Sequence, residues 1–261
     1  MTVTAMTHRG AVRDGNEDAF VIGTLTAAGV DTIDPVAVRL TVEEPTVVAV
    51  ADGLGGHNAG EIAAALTVRR LAERAPRSTG VGELLREINA ELYALAEANP
   101  ACAGAGTTAV GLWLTPHRVF WFNVGDSRLY REEDGYLGQV SVDDSPVADW
   151  DGSGRVAGRT NLVLQTLGGA ACFEPVHPHT GTERYVPDSR WLICSDGLSD
   201  LVDVADMELI LAENHEDDVR AVKALWVAAM NAGGQDNITA LLVRCSLKPL
   251  HLKSSWSAGV V

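Results

Sequence analysis

The sequence predicts an α+β fold in which sheets are covered by pairs of helices. Short apolar runs of β character stand at both ends and in the middle of the chain. Amphipathic helical patterns follow one another in twos between them. The strict alternation of strand and helix that a doubly wound parallel sheet requires is missing. Three of the apolar runs also stop on a Gly/Asp pair: Asp52-Gly53, Gly125-Asp126 and Asp196-Gly197.

Residues 3–6 read as a first strand, and the loop after it carries Arg13, Asn16, Glu17 and Asp18, with Asp14-Gly15 as a turn signal before a strand at 19–22. Residues 24–45 read as either a hairpin or an insertion, with Gly29, Pro35 and Pro45 marking loops. Residues 47–51, small and apolar, run into Asp52-Gly53, after which Gly55, Gly56 and Gly60 surround His57. That pattern is a buried strand delivering one carboxylate to its own rim.

Ile62, Ala65, Leu66 and Leu71 recur at helical spacing over 61–74, and residues 76–82 break the pattern. Leu85, Ile88, Leu92 and Leu95 share one face of a second helix over 83–98, ended by Asn99-Pro100. The period then changes. Runs at 106–114, 118–124, 127–131 and 136–142 predict an antiparallel meander. Residues 143–159 are polar and glycine-rich, hence a surface loop, and 161–167 fit helix or strand equally. A strand at 191–195 ends on Asp196-Gly197. Helical patterns at 204–212 and 217–231 precede a last strand at 238–245, opened by Gly233-Gly234-Gln235-Asp236-Asn237. Residues 1–246 read as a single domain and 247–261 as a flexible tail.

At 261 residues and 46% hydrophobic, the chain buries a sizeable core, and its 20 basic against 35 acidic side chains leave a net charge of −15. Such a charge disfavours nucleic acid and anionic membrane as partners. Cys102, Cys172, Cys194 and Cys245 have no paired spacing and read as buried small apolar residues in a reducing compartment. No run approaches the ~20 apolar residues of a membrane span, and the expectation is a cytoplasmic monomer. Trp121, Trp191 and Trp226 read as core.

Glu17, Asp18, Asp52, Asp126, Asp196 and Asp236 each lie beside a glycine or at a strand terminus. Singly, an aspartate after a strand is a turn or helix cap as readily as a ligand. Jointly, carboxylates at the ends of neighbouring core strands repel unless cations bridge them. All-oxygen ligation suits Mg²⁺ or Mn²⁺. Arg13 has the bland reading of a solvated turn arginine, His57 that of a loop histidine, and Asp126 that of a hairpin cap. Thr107 and Thr108 read as strand packing.

Six ordered blocks carry a resemblance: Arg13-x-x-Asn16-Glu17-Asp18, Ala51-Asp52-Gly-Leu-Gly-Gly-His57-x-x-Gly60-Glu61, Gly106-Thr107-Thr108, Asn123-Val-Gly125-Asp126-Ser127-Arg128, Cys194-Ser-Asp196-Gly197-Leu-Ser-Asp200 and Gln235-Asp236-Asn237-Ile-Thr239. Together they resemble the motif set of the metal-dependent Ser/Thr protein phosphatases of the PP2C (PPM) family, bacterial branch, over nearly the whole chain. The resemblance implies a central sandwich of two antiparallel β-sheets flanked by helix pairs, with a metal site at one end. It implies that Asp52 bridges two Mn²⁺ or Mg²⁺ ions, that Gly53 offers its carbonyl, and that Asp196 and Asp236 hold one ion. Glu17 and Asp18 support the other side, Glu17 chiefly through water, and Asp126 with Asp196 matches the position of a third, weaker ion. Arg13 clamps the phosphate and His57 protonates the leaving oxygen. The substrates implied are phosphorylated proteins, products of a Ser/Thr kinase.

The chain departs from the family between Asp126 and Asp196, where the flap region 144–159 is short and glycine-rich and Leu164-Gln-Thr-Leu-Gly168 replaces the usual step. An inactive relative that binds phosphoproteins is the alternative from another class. A histidine-rich dinuclear phosphoesterase, echoed by Asn214-His215-Glu216, lacks the preceding strand and glycine. No cysteine has an arginine six positions on, no G-x-x-x-x-G-K marks a P-loop, and no G-x-S-x-G marks a serine hydrolase.

Overall fold

The computed structural model of the chain describes residues 1–55, 59–75, 80–146, 163–184, 186 and 188–245. Its strands in chain order are β1 (Thr2–His8), β2 (Ala19–Ile22), β3 (Leu25–Ala28), β4 (Val36–Arg39), β5 (Thr46–Ala51), β6 (Gly53–Leu54), β7 (Gly106–Thr107), β8 (Ala109–Leu114), β9 (Arg118–Val124), β10 (Arg128–Glu133), β11 (Tyr136–Gln139), β12 (Leu167–Gly168), β13 (His179–Arg184), β14 (Arg190–Cys194) and β15 (Ile238–Arg244). Its helices are α1 (Ala59–Arg74), α2 (Val81–Ala98), α3 (Asp196–Ser199), α4 (Val204–Glu213) and α5 (Asp218–Asn231).

Two six-stranded sheets form the centre, one in the order β11-β10-β14-β15-β1-β4 and the other β13-β9-β8-β5-β2-β3, with a small sheet β12-β7-β6 beside them. The pairings within the two large sheets are antiparallel. Phe20, Ile22, Val48, Val50 and Leu112 of one sheet meet Val3, Ala5, Trp191, Ile193 and Leu241 of the other in the inter-sheet core. Their neighbours along each strand point outward. Val21, Ala49 and Ala51 pack under Val68 and Leu71 of α1 and Leu85 and Ile88 of α2. Met6, Leu192 and Leu242 pack under Met207 and Leu211 of α4 and Val222 and Leu225 of α5. Strands covered on both faces read as continuous apolar runs rather than alternating ones. That is why residues 47–51 and 191–195 carry so little polar punctuation.

The structure departs from the sequence expectations in several places. The meander is divided between the two sheets. β8 and β9 form a hairpin in one, and the chain then crosses at Gly125, at φ +99°, so that β10 and β11 lie in the other. Asp134-Gly135 closes that second hairpin with both residues at positive φ, 52° and 85°, as the tight reversed turn requires. The run 106–114 breaks at Thr108 into β7 and β8. Residues 24–45 supply two edge strands, β3 beside β2 and β4 beside β1. Elements not anticipated include the two-residue strand β6, where the sequence reads as loop, β13, whose edge position leaves alternate residues exposed, and the single turn α3. Of the described residues 163–167, only Leu167 enters a strand. Cys172, expected to be buried, is exposed, whereas Cys102, Cys194 and Cys245 are buried. Trp191 is fully buried; Trp121 and Trp226 are partly so. Most of the flap region and the tail from 246 lie outside the described residues, and no helix among the described residues is long and apolar enough to cross a membrane.

Candidate active site

Antiparallel register gathers the motif-bearing loops at one end of the sandwich. Ile238 at the start of β15 pairs with His8 at the end of β1, Cys194 at the end of β14 pairs with Ala240, and Ala51 at the end of β5 pairs with Ala19. The cleft at that end, about 410 Å³, is lined by Arg13, Glu17, Asp52, Gly53, Asp196 and Asp236. Residues separated by more than two hundred positions therefore share one wall.

Asp52 is held by its backbone from beneath. Its N–H donates to Thr108 Oγ1 at 3.0 Å, while its carbonyl accepts from Thr107 Oγ1 at 2.8 Å and from the Thr108 N–H at 2.9 Å. Thr108 Oγ1 in turn meets Ser127 Oγ at 2.8 Å. The two threonines, read as packing from the sequence, fix the direction in which the Asp52 side chain leaves the strand. Gly53 is buried against backbone of Gly60 and Glu17, and any Cβ there would overlap them. Gly197 is required for the same reason: its Cβ would meet the Asn237 carbonyl. A side chain at either position would push Asp52 or Asp196 away from the opposite loop.

Asp18 is 1% exposed. Its Oδ2 accepts from Ser195 Oγ at 2.8 Å and Thr239 Oγ1 at 2.7 Å, whereas its Oδ1, equally buried, meets no donor among the described residues. Asn237 sews the loop of residues 9–17 to β15. Its Nδ2 donates to the carbonyls of Arg9 and Gly15 at 3.1 and 2.9 Å, and its Oδ1 accepts from the Glu17 N–H at 2.8 Å. Arg13, exposed on the cleft wall, ion-pairs with Asp236 at 2.6 Å.

The electrostatics are those of crowded acids. Burial, then the charges of Asp18, Asp196 and Asp236, pushes the Asp52 carboxyl well above the usual range. Burial raises Asp196 to about 7, with Asp126 its strongest charged neighbour. Asp18 is raised to about 6 by burial, against the lowering effect of the two hydroxyls. Asp126, just after Gly125, is raised by burial and lies off the cleft wall. Glu17 is raised by burial and drawn down by Arg13. Oxygen donors that disfavour their own ionisation by crowding suit a hard divalent cation, which removes both penalties. The buried, donorless Asp18 Oδ1 points the same way. The carboxyls influence one another without being drawn tight: no three His, Cys, Asp or Glu side chains among the described residues already surround one ligating point. His57 lies outside the described residues.

Ser195, Thr239 and Asn237 stand in motif blocks yet carried no role in the sequence reading. Their signal was present in the polar residues interrupting otherwise apolar strands, such as Thr7 and Thr239.

A cleft of strand-end carboxylates at one end of a two-sheet sandwich is a set of hard oxygen donors of the kind that suits a divalent cation. The protein phosphatase 2C family model matches residues 31–242. A serine/threonine phosphatase Stp of Listeria innocua is 31% identical over 78% of this chain and 86% of its own. The serine/threonine protein phosphatase PstP of Mycobacterium tuberculosis is 30% identical over 91% of this chain and 44% of its own, so the chain spans less than half of that relative. A crystal structure of the mycobacterial enzyme superposes with a TM-score of 0.76 at 27% identity, covering 95% of this chain and all of that one. A structure of the PstP catalytic domain in complex with two manganese ions superposes at 0.72 with 29% identity, over 93% and 98%. The chain belongs to the protein phosphatase 2C family.

Proposed function

We propose that this chain hydrolyses phosphoserine and phosphothreonine on proteins with the help of Mn²⁺ or Mg²⁺. The observation that carries the reading is the shared cleft of Asp52, Asp196 and Asp236 in a member of this family. Phosphate monoesters are among the most inert substrates, and enzymes accelerate their hydrolysis up to ~10²¹-fold. A bound divalent pair supplies a water acid enough to attack at neutral pH and charge neutralisation for the phosphoryl oxygens. In this reading Asp52, the Gly53 carbonyl, Asp196 and Asp236 hold the pair, Glu17 and Asp18 support it, and Asp126 with Asp196 holds a weaker third ion.

Arg13 meets Asp236 through one guanidinium nitrogen, Nη2, leaving further N–H donors for the phosphoryl oxygens in the planar geometry that suits them. The same ion pair holds the guanidinium at the rim before substrate arrives. His57 protonates the leaving serine or threonine oxygen. The residues described assign no role to a thiol. The proposal extends to a cytoplasmic monomer, free of membrane and nucleic acid, acting on the products of a Ser/Thr kinase. The inactive phosphoprotein-binding alternative gains no support, because Arg13 and all the cleft acids are retained together.

The test is hydrolysis of p-nitrophenyl phosphate and of a phosphothreonine peptide with added Mn²⁺. Activity abolished by chelator and untouched by thiol alkylation is the expected outcome. A wild-type protein that binds Mn²⁺ but releases no phosphate from either substrate overturns it.

A further inference from the structure

The buried hydroxyls around Asp18 form a closed circuit. Asn16 Nδ2 donates to Thr7 Oγ1 at 2.9 Å, Thr7 Oγ1 and Thr239 Oγ1 are 2.7 Å apart, and Thr239 Oγ1 donates to Asp18 Oδ2 at 2.7 Å. The Asp18 N–H returns to Asn16 Oδ1 at 3.2 Å. A carboxylate only accepts, so the Thr239 hydrogen is committed to Asp18. The hydrogen between the two threonines must then come from Thr7, and Thr7 in turn accepts from the Asn16 amide. Every link therefore runs one way, from Asn16 through β1 and β15 to Asp18 Oδ2. Ser195 Oγ adds a second donor to that oxygen while accepting the Thr239 N–H at 3.0 Å. Thr7, Asn16, Ser195 and Thr239 are all buried, so water does not substitute for a missing partner.

We infer that Thr239 and Thr7 are positioning residues for the cation site, a role resting on the proposed function above. Two hydroxyls saturate Oδ2 and lock the Asp18 rotamer, and only Oδ1, buried and without a donor, is left for the cation side. Asp18, buried and not among the residues that line the cleft, is thereby left a single unengaged oxygen. The circuit also ties that oxygen to a distant surface loop, since Asn16 Nδ2 additionally donates to the Val30 carbonyl at 2.8 Å and Thr32 bridges to Thr7. Residues that orient a ligating carboxylate typically change metal affinity by about 10–100-fold when removed.

The experiment is calorimetric titration of the full chain with Mn²⁺, alongside thermal melting of each metal-free variant. Thr239→Val, of equal shape but without the hydroxyl, is expected to weaken Mn²⁺ binding about tenfold or more, with Thr239→Ser restoring it and Thr7→Val giving a smaller loss in the same direction. Thr4→Val supplies the control for burying a valine, because the Thr4 hydroxyl, on the same strand, is buried without a partner; its affinity stays at the wild-type value. A melt near wild type for Thr239→Ser and Thr7→Val keeps the test valid even if Thr239→Val does not fold. Wild-type affinity in folded Thr239→Val, or in Thr7→Val where Thr239→Val does not fold, overturns the inference while leaving the phosphatase reading intact. A wild-type chain that takes up no Mn²⁺ overturns both.

Discussion

Asp52 illustrates how much of the site is set by single residues. Its side chain is charged at a cost, because burial and at least four other carboxylates oppose ionisation. Its backbone is fixed by three hydrogen bonds to Thr107 and Thr108. The neutral, isosteric change Asp52→Asn therefore has opposite effects on two readouts. Phosphatase activity is lost, while the metal-free protein at pH 8 melts higher. Each kcal/mol of relieved repulsion corresponds to about 2–4 °C in a domain of this size. A metal-free melt that falls instead would show that the acids are not mutually repelling. At this scale the sequence was informative about identities and silent about partners. The acids announced themselves by standing beside glycines. That Thr239 and Ser195 share one oxygen of Asp18 depends on register between β15 and β14, which no local pattern encodes.

At the scale of elements, strands ending on Gly/Asp pairs were legible because strands buried on both faces leave long apolar runs that stop abruptly at the rim. Helices α1, α2, α4 and α5 were legible as helical runs, but the face read for α1 was wrong: Ile62 is exposed, Ala65 and Leu66 are only partly buried, and the buried stripe is Ala63, Ala64, Val68 and Leu71. The crossing at Gly125 was not, because a turn that changes sheets and a turn that closes a hairpin use the same residues. Neither was β13, an edge strand with exposed alternate positions, nor α3, a single turn too short for a period. The role of α3 is to carry Asp196 toward β15, and Gly197 is what permits the approach. Gly197→Ala would place a methyl group against the Asn237 carbonyl, a clash with backbone that costs about 1–3 kcal/mol. Chemical denaturation would read that loss, and Mn²⁺ affinity would fall with it as α3 and the Asn237 loop separate. An unchanged denaturation midpoint would contradict the close approach.

The whole molecule is a scaffold that keeps one end of a sandwich acidic and the other end locked. At the far end Arg190, 2% exposed, pairs with Glu132 at 3.0 Å and Asp218 at 3.2 Å, fastening β10, β14 and α5. At the near end the raised carboxyls make stability depend on pH. Groups whose folded pKa exceeds the unfolded value bind more protons when folded, so their contribution is present below pH ~4 and lost as pH rises through their folded values. With Asp18 at about 6 and Asp196 at about 7, the metal-free melting temperature is expected to decline between pH ~4 and ~7. Saturating Mn²⁺ should flatten that decline, and Mn²⁺ affinity should weaken as pH drops through the same window, because cation uptake displaces those protons. A metal-free melt independent of pH would contradict the crowding.

The claim on which these expectations converge is that Asp52, Asp196 and Asp236 act as one cation-holding unit on which phosphoester hydrolysis depends. Phosphate release from a phosphothreonine peptide, followed as Mn²⁺ is titrated into the wild-type chain and into Asp196→Asn, tests it most directly. Saturable, Mn²⁺-dependent release by the wild type and a loss in the variant of at least the roughly 100-fold that removing a residue behind a metal ligand can cost is the predicted result. Equal release by the two proteins, or release indifferent to Mn²⁺, would contradict it.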